Sequence, residues 1–299
     1  LNYFDNVIPD VTPISDDKVN LDFVVEEKKS TQRINANLGF TGEYGITGGA
    51  GVEFDNFRGK GQKLNIGAST GTNFSIYTTQ EPSKYRSLNI SFQDPMINDS
   101  PYLVGASIFY SFRGSSTNYY FPLDFTVGGA VASFGRRLEW PDDFFRVMWS
   151  AKFMQKEYEG SQSDIDNYIG GLQKTRGISL SQVLSRDSRN RAEFPTNGST
   201  FILENTYSGG FLGGNENFQK HMLTLDWFTP TFSKFILYNS VKLGVIKTLD
   251  VGDDIQSFVP FDERFIMGGN GIPYGNALRG YPDNAIGPQT VSGQAVGGN

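Results

Sequence analysis

From Gln32 onward the chain alternates apolar and polar residues with a period of two. Ile34, Ala36, Leu38 and Phe40 are interleaved with Asn35, Asn37, Gly39 and Thr41. Leu64, Ile66 and Ala68 alternate with Lys63, Asn65 and Gly67, and Leu88, Ile90 and Phe92 with Asn89, Ser91 and Gln93. The pattern returns at Val147, Trp149, Ala151 and Phe153, at Phe201, Leu203 and Tyr207, at Leu223, Leu225 and Trp227, and from Phe235 to Val245. A period of two places alternate side chains on opposite faces of a β-strand. Eleven candidate strands fit between Gln32 and Leu249.

The polar face decides which kind of sheet this is. A soluble sandwich turns its polar face to bulk water and is usually rich in Lys and Glu there. Here that face is Asn, Ser, Thr, Gly and Gln with scattered charges, as expected of a wet but confined lumen. The connections divide into two sets. Every second one is short, as at Asn56–Gly61, Asp94–Pro101, Glu139–Asp143, Phe194–Gly198 and Pro230–Ser233, and those between are mostly longer, such as Glu159 to Thr175. Short turns at one end and longer loops at the other predict an all-β fold, a transmembrane antiparallel β-barrel of the bacterial outer membrane. Single-chain barrels have even strand numbers and must close, because an open edge in lipid leaves backbone groups unpaired. Eleven strands do not close one, so further C-terminal strands are expected beyond this chain.

Composition fits this picture. Mean hydropathy is -0.35 and no run approaches the ~18 apolar residues of a membrane helix. A barrel strand needs only ~9–11 residues, of which every second one faces lipid. The 25 Phe and 14 Tyr suit aromatic girdles at both lipid–water interfaces. A net charge of -6 with no basic block offers no footprint for nucleic acid. The absence of Cys excludes disulfides and thiolate metal sites. Leu1-Asn2-Tyr3-Phe4 has neither a basic start nor an apolar run, so the chain is expected to begin inside an exported gene product. Val19–Glu27 also alternates, then ends in Glu26-Glu27-Lys28-Lys29, which divides the end of a small soluble domain (1–29) from the barrel (30–299).

Little here suggests catalysis. His221 is the only histidine, which excludes a multi-histidine metal site and leaves a lumenal or interfacial role. Asp142-Asp143 and Asp253-Asp254 read as solvated loop pairs. Gly48-Gly49-Ala50-Gly51 lacks the Lys-Ser/Thr of a phosphate loop and lies in a strand. Arg186, Arg189 and Arg191 beside Asp187 read as a charge network at the short-turn end. With no nucleophile–base pair, neither an enzyme nor a cofactor or metal is expected.

After the eleventh strand the alternation stops. Residues 250–299 contain Phe261-Asp262-Glu263-Arg264-Phe265-Ile266-Met267-Gly268-Gly269 and then Leu278-Arg279-Gly280-Tyr281. So long a connection in a compact domain usually has a function. Here the chain resembles the outer-membrane protein assembly factor family of the POTRA-plus-barrel superfamily, whose sixth extracellular loop folds into the lumen with an Arg-Gly-Phe/Tyr tip. Gly48–Gly61 is similar to the family's second strand and turn, Asp94-Pro95 to the turn after the fourth, and Asp187–Arg191 with Phe194–Gly198 to the turn after the eighth. Ala285-Ile286-Gly287-Pro288 and Ala295–Asn299 resemble the second half of the loop and the entry to strand twelve.

The resemblance implies about 16 strands in the whole barrel, within the even-numbered range of such proteins, and makes residues 1–29 the end of the last POTRA domain. It assigns Arg279, Gly280 and Tyr281 to a lumenal anchor. Arg279 offers a planar fork for carboxylates, Gly280 permits close backbone approach, and Tyr281 adds a hydroxyl to the commoner Phe. The implied acceptors are acidic residues on strands after the twelfth, with Glu204 and Asp226 as inward-facing alternatives within this chain. Ile34, Asn35, Asn37, Gly39 and Gly42 then belong to the first strand of a lateral gate, where Gly and Asn weaken pairing. The implied activity is insertion of β-barrel proteins, the freed edge templating the strands of a client. The implied partners are unfolded barrel clients, periplasmic accessory lipoproteins, and outer-membrane lipid with lipopolysaccharide. A two-partner secretion pore of the same superfamily and a passive porin-like channel are the alternatives.

Overall fold

A computed structural model describes residues 4–15, 18–28, 32–41, 45–72, 84–115, 122–251, 259–265, 267–268, 278–281, 285–288 and 298. The strand β1 (Phe4–Ser15) pairs antiparallel with β2 (Lys18–Glu27), with Val7 opposite Val25 and Val11 opposite Leu21. The alternating stretch before the barrel is thus β2. Its partner carries Pro9 and Pro13, which a two-stranded ribbon tolerates because each strand has a free edge needing no N–H.

The second sheet holds eleven strands, as the periodicity predicts: β3 (Gln32–Thr41), β4 (Gly45–Phe57), β5 (Gln62–Thr72), β6 (Lys84–Asp94), β7 (Tyr102–Arg113), β8 (Asp124–Arg137), β9 (Phe145–Glu159), β10 (Lys174–Asp187), β11 (Gly198–Ser208), β12 (Phe218–Pro230) and β13 (Ile236–Thr248). Each pairs antiparallel with its neighbours in sequence, and β3 and β13 are the two edges in this chain. The shortest has 10 residues and the longest 15, enough for tilted strands to cross a bilayer core. Among the described residues no helix is long and apolar enough to cross a membrane.

Register shows which face is which. On β9, Lys156 lies opposite Val127 and Thr175, whereas Phe153 lies opposite Ala130 and Ile178 on the other face. Lys156 is 0% exposed, while Phe153, Trp149, Leu243 and Val245 stand exposed. Apolar outside and enclosed charge inside is the reverse of a soluble protein, and it suits a wall whose outer solvent is lipid. Near the short-turn ends the outer face carries a stacked row, Tyr102 to Phe134 at 5.5 Å and Phe134 to Trp149 at 6.0 Å. This is an interfacial aromatic girdle.

The loop end is partly roofed. Within the long connection after β9 lies a short helix, α1 (Gln162–Ile169), which the strand periodicity does not predict. The Ser161 hydroxyl accepts from Asp164 N–H at 3.2 Å, and Gly170 ends the helix in the left-handed region at φ 63°. Ile165 and Ile169 bury themselves among Leu123, Phe125, Val127, Met154 and Tyr158, on the inner side of β8 and β9.

Candidate functional site: a loop docked on the inner wall

The base of the long loop binds three strands of the inner wall. It begins with Val259 and Pro260, both buried, then a 3-10 turn at Phe261–Glu263. Asp262 receives the Lys156 ammonium on both carboxylate oxygens, each at 2.9 Å. Lys156 also lies 3.2 Å from Glu216, in the connection between β11 and β12. Glu216 is itself fixed by the Thr175 hydroxyl, which donates to it at 2.6 Å. Space for that carboxylate comes from Gly177 on β10, where a Cβ would stand 2.6 Å from Glu216 Oε2.

One cation between two carboxylates leaves one negative charge in excess, and the two acids respond in opposite directions. Burial pushes the Glu216 carboxyl up, beyond what Lys156 nearby and its hydrogen bonds offset. Burial also works against ionised Asp262, but the Lys156 charge and its hydrogen bonds prevail and hold that carboxyl below its ordinary range. The triad is built around an ionised Asp262.

Glu263 makes the next contact. Lys220 on β12 donates to its carboxylate at 3.0 Å and to its backbone carbonyl at 2.9 Å, and Lys152 on β9 stands 3.9 Å from the other oxygen. The Lys220 ammonium also lies 5.4 Å from the Phe265 ring. Phe265 packs with Phe218, Ile246 and Val259, and its ring occupies the space over Gly244 of β13, where a Cβ would meet it at 2.6 Å. Arg264 donates from Nε to the Val259 carbonyl at 3.0 Å and closes the turn on itself.

Beyond this base the loop ties its own halves together. Phe265 and Gly298 exchange backbone hydrogen bonds of 3.0 and 2.8 Å, and Met267 and Ile286 exchange bonds of 3.1 and 2.8 Å. The expected anchor lies between these halves. Gly280 adopts φ +89°, a left-handed conformation that favours glycine, while Arg279 and Tyr281 are exposed. Among the described residues Arg279 makes no hydrogen bond or ion pair, so neither Glu204 nor Asp226 meets it. Asp226 instead accepts from Thr200 at 2.9 Å and Tyr238 at 2.9 Å. Asp253-Asp254 and the end of the loop before Gly298 lie outside the described residues. His221 stands exposed on the outer face near the loop end, its Nδ1 2.8 Å from Asn205 Oδ1.

At the other side of the sheet, β3 makes its one ladder with β4, from Gln32 opposite Phe54 to Thr41 opposite Gly45. Ile34 and Leu38 are 81% and 82% exposed. Asn35 faces Gly51, Asn37 faces Gly49 and Gly39 faces Thr47, so the first strand leans on a glycine-rich partner. The Asn37 amide fills the space over Gly49, where a Cβ would stand 2.7 Å from its Oδ1. Arg33 supports the short-turn end of this pair through Glu53 at 3.1 Å and Asp55 at 2.8 Å. Gly42 lies outside the described residues.

An up-and-down antiparallel wall, apolar outside and polar inside, with a long loop docked on the inner face, defines an outer-membrane β-barrel protein. Residues 56–299 match the Omp85 superfamily domain, and the chain belongs to that superfamily. It is 26% identical over 308 residues to the outer membrane protein assembly factor BamA of Nitratidesulfovibrio vulgaris, a match covering 99% of this chain and 34% of that protein. The chain therefore spans about a third of that relative's length. Its fold matches the crystal structure of BamA from Haemophilus ducreyi lacking POTRA domains 1-3 with a TM-score of 0.73 at 18% identity, covering 100% of this chain and 57% of that one. Family and architecture place the chain in the bacterial outer membrane.

Proposed function

We propose that this chain forms most of the membrane wall of an outer-membrane protein assembly factor, which inserts β-barrel clients through a seam at β3. The observation that carries this reading is the first strand itself. Its ladder to β4 sets Asn35 against Gly51, Asn37 against Gly49 and Gly39 against Thr47, a pairing poor in the cross-strand side-chain contacts that hold a sheet together. Unpaired N–H and C=O groups in lipid strongly favour a new strand, which is the driving force for templating a client hairpin. The assembly-factor name of the BamA relative and the Omp85 match support the same activity. Residues 1–29 are then the end of the last POTRA domain, and the partners are unfolded barrel clients, accessory lipoproteins on the periplasmic side, and lipid with lipopolysaccharide.

The docked loop serves this activity as a brace. It ties β9, β12 and β13 together from inside while the seam opens elsewhere, and the Arg279-Gly280-Tyr281 tip is assigned a second hold on strands beyond this chain. The occupied inner face disfavours a passive channel. Depleting the protein in its host and quantifying other outer-membrane barrels tests the proposal: their levels should fall together. Unchanged barrel levels would overturn it, and loss of one secreted substrate alone would point instead to a secretion pore.

A further inference from the structure

The outer face of β6 carries charge at both ends and only apolar residues between. One ladder row runs Phe153, Ala130, Ile108, Ile90, Ile66, so Ile90 shares the outer face that Phe153 defines. Alternation along β6 then puts Lys84, Arg86, Leu88, Phe92 and Asp94 on that face as well. From Asp94 to Arg86 there are eight residue steps. At roughly 3.3 Å each, on a strand tilted by ~40°, they rise about 20 Å, close to the height of the apolar band on such walls. Asp94 adjoins a short turn and marks the periplasmic side. Arg86 and Lys84 therefore emerge where the wall leaves the hydrocarbon of the outer leaflet.

Two cations two residues apart on one face repel, and the wall does not relieve them. The inner wall pairs its cations with acids, as Arg33 with Glu53 and Asp55, and Lys220 with Glu263. Lys84 and Arg86 are exposed, and their side chains make no hydrogen bond or ion pair among the described residues. Across from Arg86 stand Thr70 on β5 and Phe112 on β7, neither of them charged. On the outer face of β5, β6 and β7 the one acid is Asp94, at the far end. Asp124, at the top of β8, already accepts from the Ser115 backbone N–H at 2.6 Å. Directly below the two cations, Leu88 and its cross-strand neighbour Tyr110 are exposed, as is Ile108. A ligand that fits this wall is anionic at its head and apolar beneath.

We propose that Lys84 and Arg86 form a docking site for the phosphorylated sugar headgroup of lipopolysaccharide in the outer leaflet, its acyl chains lying along Leu88, Ile108 and Tyr110. Arg86 offers a planar fork to phosphate oxygens, and Lys84 adds a second point charge. Depth and charge choose this occupant: the periplasmic leaflet ends a full apolar band away, and a free phosphate has no use for the wall beneath. The site gives residues to the lipopolysaccharide partner of the proposed function and rests on that reading. Three strands separate β6 from the end of the sheet at β3, so a docked glycolipid fixes the height of the wall beside the seam without blocking it.

The test uses the full-length protein in neutral detergent, titrated with bisphosphorylated lipid A and read by native mass spectrometry. The wild type should retain the lipid, and Lys84→Gln with Arg86→Gln should weaken retention by about tenfold. Arg58→Gln with Lys60→Gln removes the same charge at the same spacing from the β4–β5 turn, on the periplasmic side, and should leave retention unchanged. Arg86→Lys should fall between, since the charge stays and the fork goes. Heat-modified migration on gels checks that each variant folds. Dephosphorylated lipid A should be retained about tenfold less by the wild type itself, a comparison that needs no variant. Wild-type retention by the Lys84/Arg86 double variant, equal loss in the turn variant, or equal retention of the dephosphorylated lipid overturns the site. Displacement by phosphatidylglycerol at matching concentration overturns the glycolipid as its occupant, and displacement by an acidic peptide at lower concentration does so in favour of a protein partner. Unchanged barrel levels on depletion would overturn the proposed function and leave this measurement standing, so the two fail separately.

Discussion

The Lys156 ammonium lies 2.9 Å from each carboxylate oxygen of Asp262, joining a barrel strand to a loop 106 residues downstream. Enclosing a lysine completely costs several kcal/mol of lost hydration, which a pair recovers only with good geometry and further hydrogen bonds. Lys156 has both, through Asp262 and Glu216. The arrangement joins three separate segments, β9, the β11–β12 connection and the loop, at one cation.

Removing one partner should therefore cost more than the contact itself is worth. Asp262→Ala leaves a buried ammonium with Glu216 alone, a change of the class that costs roughly 3–5 kcal/mol. The expected outcome is faster proteolytic cleavage within residues 250–299 and a lower temperature for loss of heat-modified migration. Lys156→Met with Asp262→Leu and Glu216→Gln should recover much of the loss, since an apolar substitute removes the charges together. If Asp262→Ala left both measurements at wild-type values, the loop would be held by something else.

Acid should release the loop late rather than early. Asp262 lies below its ordinary value of 3.8, so its contribution is present above that value and is lost as pH falls through the depressed one. Glu216 is raised above 4.5, so folding favours its protonated form; its contribution is complete below 4.5 and is lost as pH rises through the raised value. Lowering the pH from neutral first protonates Glu216, which relieves the excess negative charge, and later protonates Asp262. Protease protection of the loop should hold or rise on mild acidification and collapse only below pH 3.8. Glu216→Gln should remove the initial rise and keep the collapse. A single decline beginning near neutrality would contradict this assignment.

Gly244 allows two effects to be separated. Valine suits strands better than glycine, by up to about 1 kcal/mol, so an exposed Gly→Val change in β13 should stabilise the sheet. Here the Cβ would stand 2.6 Å from the Phe265 ring, so Gly244→Val should displace Phe265 and expose the loop to protease. Gly244→Val together with Phe265→Ala should restore barrel heat resistance while leaving the loop cleavable. Undisturbed protection in the single variant would mean that Phe265 is not seated there.

The strands were legible because the period of two survives along each of them, and pairing between sequence neighbours leaves one topology. The helix α1 is not predicted by the strand periodicity, although its capping signals are in the sequence: Ser161 three residues before Asp164, and Gly170-Gly171 after Ile169. Eight residues between two strongly alternating strands are too few for a helical period to stand out. In the sequence Lys152 and Lys156 are single charges on a strand, and Asp262-Glu263 lie in the stretch that carries the family resemblance. Nothing local connects them, since a contact across 106 residues is a property of the folded sheet and its docked loop. The charge network at the short-turn end is half visible in the sequence. Arg186, Arg189 and Arg191 stood out as a network, but the opposition of Arg137 and Arg146 appears only once the β8–β9 ladder is aligned.

The loop's base and tip should behave differently. Among the described residues Arg279 is exposed and touches no acid, whereas Asp262 and Glu263 hold three cations of the wall, Lys152, Lys156 and Lys220. On the proposed reading Arg279 is held by strands beyond this chain, so its effect is to be read in the full-length barrel. There, Arg279→Ala should lower heat resistance and open the loop to cleavage near residues 278–281 while the base stays protected. Asp262→Ala should open it near the base instead, and the two losses should add, because the sites share no partner. Cleavage mapped by mass spectrometry separates the cases. An Arg279→Ala protein with wild-type cleavage and wild-type heat resistance would remove the tip from the anchoring scheme and leave the Asp262–Phe265 base as the loop's hold on the wall.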